Sequence, residues 1–540
     1  MAINFRTQIV LIVDDMPNMR VAIKGMLQYV GVERIDTAAN GEDAIASMRN
    51  NRYDIIICDY NLGDGKNGQQ VLEEAKHNKL IGYSTIFIML TAENTMSMVM
   101  GAVEYRPDDY LTKPINKEIL KPRLVNAIEK KSDLEAIDRM VKAGAYENAL
   151  KLCNHHIAAK PKHLSDLLRM KAEIAVHFGD LATAQDVYQG VISRRRLPWA
   201  MTGMAGIHFQ RKEYDEAIPL LQEVISEDPA FMEAYDLLAK CHRATNNAAA
   251  AQECLLQAVE VSPVSIQRQM SLGELALETG DNSVAEKAYR SAISIGRHSI
   301  YKNPTNYTRL AQTLASNGGG KEALRVLKSM RSDYPGDRVI ALQSTISESQ
   351  VYDAIELESA ARNARASAAK LYSEIGPEVP AEISMDLATM QLQAGEHDAA
   401  MSVLSTLARN HYEDNEVIDQ IKSVISSSGM AQETHGLIEQ ARQEVRDLNN
   451  RAVKLFRDGD FTGAMETFRT LSEMAQSNLT VNMNSVRIHL EAAKKEVDRE
   501  RSLEYARLSL GRIAEMKKRD EEKYRHLLQE YMALTQQARG

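Results

Sequence analysis

The chain has 540 residues, more than one core accommodates, so two or more folded units are expected. Its 13 Pro and 28 Gly fall below the average usage of roughly 5% and 7%, and 44% apolar with 26% charged residues exclude collagen-like, coil-only and wholly disordered chains. A formal charge of −9, spread along the chain, lacks the basic excess that phosphate-backbone binding favours, so no nucleic acid partner is expected.

Up to about residue 130, short apolar runs alternate with helical patterns. QIVLIVDD, DIIICDY and TIFIMLTA read as buried strands, because β-branched residues crowd into four to six positions and polar residues follow at once. Amphipathic stretches such as MRVAIKGMLQYV and NGQQVLEEAKH lie between them. Alternating strand and helix predicts parallel βαβ units with helices on both sheet faces and a ligand site beyond the carboxyl ends of the strands. Asp14 and Asp15 follow the first run, Asp59 follows IIIC, Thr91 follows IFIML and Lys113 follows YLT. Clustered carboxylates repel unless a cation joins them, and hard oxygen ligands suit Mg²⁺. The lysine and the hydroxyl suit phosphoryl oxygens, which makes Asp59 the natural nucleophile. Ile9 to Val13 ends in two aspartates and Ile86 to Leu90 is too short for a signal or a span, so no membrane insertion is expected.

The motifs IVDD, ICDY, MLTA and YLTKP occur in order at appropriate separations, and through them residues 5 to 130 resemble a response-regulator receiver domain of bacterial two-component signalling. The resemblance implies a flavodoxin-like, doubly wound, five-stranded parallel sheet with strand order 2-1-3-4-5. It implies that Asp59 accepts a phosphoryl group from a histidine kinase or phosphotransfer protein. Asp14 and Asp15 then hold Mg²⁺ together with Asp59 and the backbone carbonyl of Asn61. Thr91 meets a phosphoryl oxygen, Lys113 pairs with the phosphoryl group, and Tyr110 is the aromatic whose rotamer follows the event. Receivers often pair through the face carrying Tyr110, so a homodimer is a further expectation. Two departures stand out: the loop YNLGDGKNGQQ carries an extra Asp64 and Lys66, and EYRPDD puts Arg106 and Pro107 where the family usually has a small pair.

From about residue 133 the strand pattern vanishes and a repeat begins. Ala217, Ala251 and Ala285 lie 34 residues apart, and Pro229 and Pro263 each follow the matching Ala by twelve, as Pro161 follows Ala149 and Pro335 follows Ala323. Four residues after the Ala stands a large residue: Cys153, Tyr188, Leu221, Leu255, Tyr289, Leu327, Leu404 or Phe468. Five before it stands Gly144, Gly179, Gly280, Gly318, Gly395 or Gly459, with Lys212 and Asn246 as exceptions. Gly permits a tight turn, the small Ala lets two helices approach, the large residue fills the space beyond, and Pro ends the second helix. Such a unit resembles the tetratricopeptide repeat (TPR), whose copies stack into an all-α superhelix with a concave binding face.

Eight copies are anchored on Ala149, Ala184, Ala217, Ala251, Ala285, Ala323, Ala400 and Ala464, with a 38-residue step after Ala285 and a long gap after Ala323. GPEVP at 376 to 380 reads as a joint in preference to a degenerate repeat. The expected organisation is therefore a receiver over 1–130, about six repeats over 131–375, further repeats over 376–480, and two charged helices over 481–540 that cap the array or extend as a partner helix.

Cys58, Cys153, Cys241 and Cys254 form no CxxC pair and are too few for a disulfide framework, so a reducing cytoplasm fits. His155 and His156 point about 100° apart on a helix with no further ligand at hand, which favours ordinary helix surface. Arg194, Arg195 and Arg196 end a helix, where cations suit the dipole better than they argue for a phosphate grip. Trp199 reads as packing within the array and Cys58 as facing the core, while Met96, Met98 and Met100 divide evenly between gap filling and contact. No other catalytic signature appears, so the expected output is contact with an unidentified protein ligand of the array, and the protein is not expected to be an enzyme beyond assisting its own phosphorylation. Two rival readings are an antagonist or phosphate sink that limits phosphotransfer from a sensor kinase, and a constitutive scaffold.

Overall fold

The computed structural model describes residues 5–92, 106–132, 134–159, 163–376, 379–429, 431–516 and 521–537. The chain divides into two compact units, 1–313 and 314–540.

In the first unit the chain runs through β1 (Ile9–Val13), α1 (Pro17–Val30), β2 (Arg34–Ala38), α2 (Gly41–Asn50), β3 (Ile55–Asp59), α3 (Gly68–His77), β4 (Ile86–Thr91) and β5 (Asp109–Thr112). The five strands form one parallel sheet in the order β2-β1-β3-β4-β5. Strand side chains alternate between faces, so each face has its own core. Val10, Ile12, Ile57, Ile88 and Leu111 pack with Ile23 and Leu27 of α1 and with Leu120 and Leu124 of the helix Lys117–Ser132. Leu11, Val13, Ile56, Cys58 and Met89 pack on the other face with Ala44 and Met48 of α2 and Val71 and Leu72 of α3. Cys58 is thus a core residue. β2 is an edge strand, buried at Ala38 and half-buried at Ile35 but otherwise exposed, and has no apolar run to announce it.

Beyond the sheet the first unit continues as antiparallel helix pairs, and the second unit is built the same way. The repeat marks acquire a uniform geometry. All eight anchoring alanines are fully buried, each at the fourth position of a helix such as Tyr214–Glu227 or Ala248–Val261. Every residue five before an anchor has a left-handed backbone, including the two that are not glycine: φ is 63° at Lys212 and 57° at Asn246. At that position the turn dictates the conformation and the residue type only sets its cost.

The same geometry reveals a ninth copy in the gap after Ala323. Helices Arg338–Ala354 and Glu358–Ile375 form a pair there, Ala361 is fully buried at the fourth position of the second, and Glu356, five before it, has φ 59°. The copy escapes the sequence pattern because Glu replaces Gly and Arg365 replaces the large apolar residue. Arg365 instead bonds Asp353 at 2.9 Å and Glu396 at 3.0 Å. Residues on both sides of 376–380 share one core, in which Leu342, Ile346 and Ala368 cluster with Ile383, Leu387 and Ala388. That segment therefore does not divide two cores.

The helices Leu479–Lys494, Arg499–Glu515 and Glu521–Gln537 pack together through Met483, Val486, Leu490, Leu503, Ala506, Leu510, Ile513 and Leu527. They form a packed end of the second unit.

Exchanging Glu356 for glycine relieves the left-handed cost at the ninth turn. Glu356→Gly is expected to raise stability by about 0.5–1 kcal/mol, and Glu356→Ile to lower it by about 1 kcal/mol or more, read from urea or thermal unfolding.

Candidate functional site

Three backbone hydrogen bonds carry the sheet ladder one residue past the strands. Asp14 N–H donates to the Ala38 carbonyl at 3.3 Å, Tyr60 N–H to Leu90 at 2.7 Å, and Lys113 N–H to Thr91 at 2.7 Å. They fix the residues after β1, β3 and β5 at one mouth of the sheet, where the sequence placed them.

Asp14 is fully buried, Asp59 is 6% exposed and Thr91 is 2% exposed, while Asp15 faces solvent. Lys113 Nζ lies 2.9 Å from Asp14 Oδ2 and 2.8 Å from Asp59 Oδ2, so one ammonium serves two buried carboxylates. Burial pushes the Asp59 carboxyl up from its ordinary range, against the Lys113 hydrogen bond that pulls it down. Burial also works against charge on Lys113, yet its hydrogen bonds to Asp59 and Asp14 win and hold its pKa above the usual lysine value. Cys58 Sγ donates to the Asp59 carbonyl at 3.3 Å, and burial raises that thiol well above its usual value, which leaves it inert.

Carboxylate oxygens of Asp14, Asp15 and Asp59 all lie within 4.8 Å of one another. Three hard anionic oxygens beside a single cation fit Mg²⁺, which keeps waters in its remaining positions. Asn61 stands in the loop just beyond β3, and its side-chain oxygen accepts from the Gly63 N–H at 3.2 Å. Tyr110 lies in β5 opposite Met89 and packs, half-buried, against the core on the α2 and α3 side of the sheet.

Sequence reasoning missed Arg20. From the first turns of α1 its Nη1 donates to the backbone carbonyls of Asp14 at 2.6 Å and Asp15 at 3.1 Å, which fixes the turn that presents both carboxylates. Gly68 was missed as well: a Cβ there would stand 2.2 Å from the Asp59 carbonyl oxygen, so α3 starts directly behind the acidic residue. The extra Lys66 ties the loop to the helices beneath it, 3.8 Å from Glu42 and 3.6 Å from Glu74. Met96, Met98 and Met100 lie outside the described residues.

Elsewhere, Trp199 packs edge-on to Tyr188 with ring centroids 6.1 Å apart, and Arg196 pairs with Glu223. His155 and His156 belong to no cluster of metal-ligating side chains among the described residues.

Residues 10–125 match the response regulator receiver domain, and residues 169–230 and 208–275 match tetratricopeptide repeats. Over 121 residues the chain is 26% identical to the chemotaxis protein CheY of Pseudomonas aeruginosa, covering 22% of this chain and 96% of that protein. The chemotaxis response regulator CheY4 of Vibrio cholerae is a similar solved structure, 29% identical with a TM-score of 0.21, covering 22% of this chain and 98% of that one. A tetratricopeptide repeat protein from Parabacteroides merdae matches at 14% identity and a TM-score of 0.35, covering 48% of this chain and 98% of that one. Over residues 10–125 the chain is thus similar to response regulators of two-component signalling. It has a flavodoxin-like response regulator receiver domain at its N-terminus, followed by an array of tetratricopeptide repeats. No helix among the described residues is long and apolar enough to cross a membrane.

Removing the shared ammonium leaves two buried carboxylates facing each other. Lys113→Ala is expected to lower stability by about 3 kcal/mol at neutral pH in urea unfolding. Without the Lys113 hydrogen bond that opposes burial, the folded Asp59 pKa rises further, so the variant's deficit is present above that raised pKa and shrinks as pH falls through it.

Proposed function

We propose that this protein is a response regulator in which Asp59 accepts a phosphoryl group from a histidine kinase or phosphotransfer protein, and that the modification controls protein binding by the repeat array. The observation that carries the reading is Asp59 at the end of β3, hydrogen-bonded to Lys113, with Asp14 and Asp15 beside it.

An Asp59 carboxylate oxygen attacks phosphorus, the donor's P–N bond to histidine breaks, and its electron pair leaves on the imidazole nitrogen. Lys113, which holds Asp14 and Asp59 together, follows the negative charge onto a phosphoryl oxygen. Thr91, at the end of β4 and joined through its carbonyl to the Lys113 N–H, offers its hydroxyl to a second phosphoryl oxygen. Tyr110, two residues before Thr112 in the neighbouring strand, responds to the inward shift of Thr91. Asp14, Asp15, Asp59 and the Asn61 carbonyl would hold Mg²⁺, which supplies charge neutralisation for phosphoryl transfer. The receiver assists its own phosphorylation and dephosphorylation, and the array supplies the output as a protein contact in the cytoplasm.

Acetyl phosphate with Mg²⁺ is expected to add one phosphoryl group at Asp59, seen by intact-protein and peptide mass spectrometry. Chelation of Mg²⁺ and Asp59→Ala are each expected to abolish it, and Thr91→Ala to slow it about a hundredfold. Pull-downs from lysate with wild type and Asp59→Ala, with and without beryllofluoride, should differ in captured proteins. An unmodified wild type, or captured proteins indifferent to all four conditions, would refute this function.

A further inference from the structure

Helix α3 is buried almost all round. One side faces the sheet through Val71, Leu72 and Ala75, yet its polar side is covered too: Gln69, Gln70, Glu73 and Glu74 are each less than a tenth exposed. A helix on the surface of a lone receiver turns its polar side to water or to its own neighbouring side chains. Glu74 is met by Arg49 and Lys66 and Gln69 by Tyr60, all within the receiver, whereas Gln70 and Glu73 are met by the array, within the same compact unit.

The helix Asn282–Gly296 ends in a connection to Thr305 that spans residues 297–304, whereas the two preceding repeats use only 228–231 and 262–265 at the same place. Those four additional residues are the 38-residue step in the sequence, and the contacts to α3 cluster there. Ser299 Oγ donates to Glu73 Oε2 at 2.7 Å, with both residues buried. Gln70 Nε2 donates to the Ile295 carbonyl at 3.0 Å. The His77 ring meets Tyr301 edge-on, with His77 Nδ1 3.3 Å from the Tyr301 hydroxyl. A second patch joins the loop before β5. Arg106, the unusual residue of EYRPDD, pairs with Glu233 and lies over the Phe231 ring, 5.7 Å from its centroid. Lys76 of α3 donates to the Arg106 carbonyl at 3.0 Å and so links the two patches.

Gln70 belongs to both sites. Its Oε1 accepts from the Asn67 N–H while its own N–H donates to Asn67 Oδ1, a reciprocal cap that starts α3. The same side-chain amide reaches Ile295. The capped end has no slack, because Gly68 N–H donates to the Tyr60 carbonyl at 2.8 Å and a Cβ at Gly68 would overlap the Asp59 carbonyl.

We propose that residues 295–301 of the array, with Phe231 and Glu233, are a docking surface for the receiver's own α3 and Arg106, and that phosphorylation of Asp59 loosens the docked state. The docked geometry is that of the unmodified aspartate, in which Lys113 holds Asp14 and Asp59. A phosphoryl group adds bulk and charge at the residue against which the start of α3 is packed. The loop 60–67 must shift to receive it, and Gln70 shifts with the cap and leaves the Ile295 carbonyl. Phosphorylation then uncovers both Gln70 and Glu73 of α3 and the lengthened connection, surfaces that another protein can use only after the receiver has left.

The inference rests on phosphorylation at Asp59, so the experiment reads that separately. Full-length protein is first shown by mass spectrometry to take a phosphoryl group from acetyl phosphate; if it takes none, the function above fails and this mechanism with it. Hydrogen exchange is then followed in full-length protein with Mg²⁺, with and without beryllofluoride. Opening is expected to accelerate exchange in residues 69–77 and 295–301 together by about fivefold or more, the lower end of typical coupling between sites. Ser299→Ala and Arg106→Ala should each accelerate both segments without beryllofluoride while leaving modification of Asp59 intact. A protein that is phosphorylated yet shows unchanged or slower exchange in both segments overturns the proposal and leaves the function standing.

Discussion

The structure depends on the close approach of α3 to the end of β3. Residue 68 must be glycine because the Asp59 carbonyl occupies the space of a side chain, and the helix begins there with the Asn67 and Gln70 cap already in place. The acidic mouth, the loop 60–67 and the helix that touches the array are thereby fastened to one another. A receiver with a longer or looser connection could change at its aspartate without moving α3. In this chain the start of α3 is packed against the Asp59 carbonyl.

At the mouth itself, burial and pairing oppose each other. Desolvation raises the Asp59 pKa, and the hydrogen bond from Lys113, shared with Asp14, opposes that rise. Three carboxylates stand against one lysine, a charge imbalance that a divalent cation would offset. Arg20 serves a different purpose: it donates to backbone carbonyls and holds the turn, leaving the carboxylate oxygens to the mouth.

The array shows how a repeat can tolerate its own exceptions. A buried alanine at the fourth position of the second helix is kept in all nine copies, since nothing larger allows the helices to approach. The left-handed turn residue is less strictly chosen, because lysine, asparagine and glutamate bear that conformation at modest cost. The connections between copies vary most freely, and the longest break in register among the regular copies is the connection that meets α3. An irregularity that looks like decay in a list of spacings is a contact in three dimensions.

By itself the sequence determined the parallel sheet, the placement of Asp14, Asp15, Asp59, Thr91 and Lys113 at its strand ends, and the existence of a helical repeat. Those features are local: apolar runs, polar residues that follow them, and small residues at a fixed period. Edge strand β2 and the ninth repeat were illegible, one because an exposed edge needs no apolar run and the other because Glu356 and Arg365 carry the fold without its usual residues. Only the tertiary structure decided that Lys113 is shared between two carboxylates, that Arg20 fixes their turn, and that Gln70, Glu73 and Arg106 face the array. Those contacts join residues up to 226 positions apart, as between Glu73 and Ser299, and no periodicity records a pairing whose partners lie in different domains.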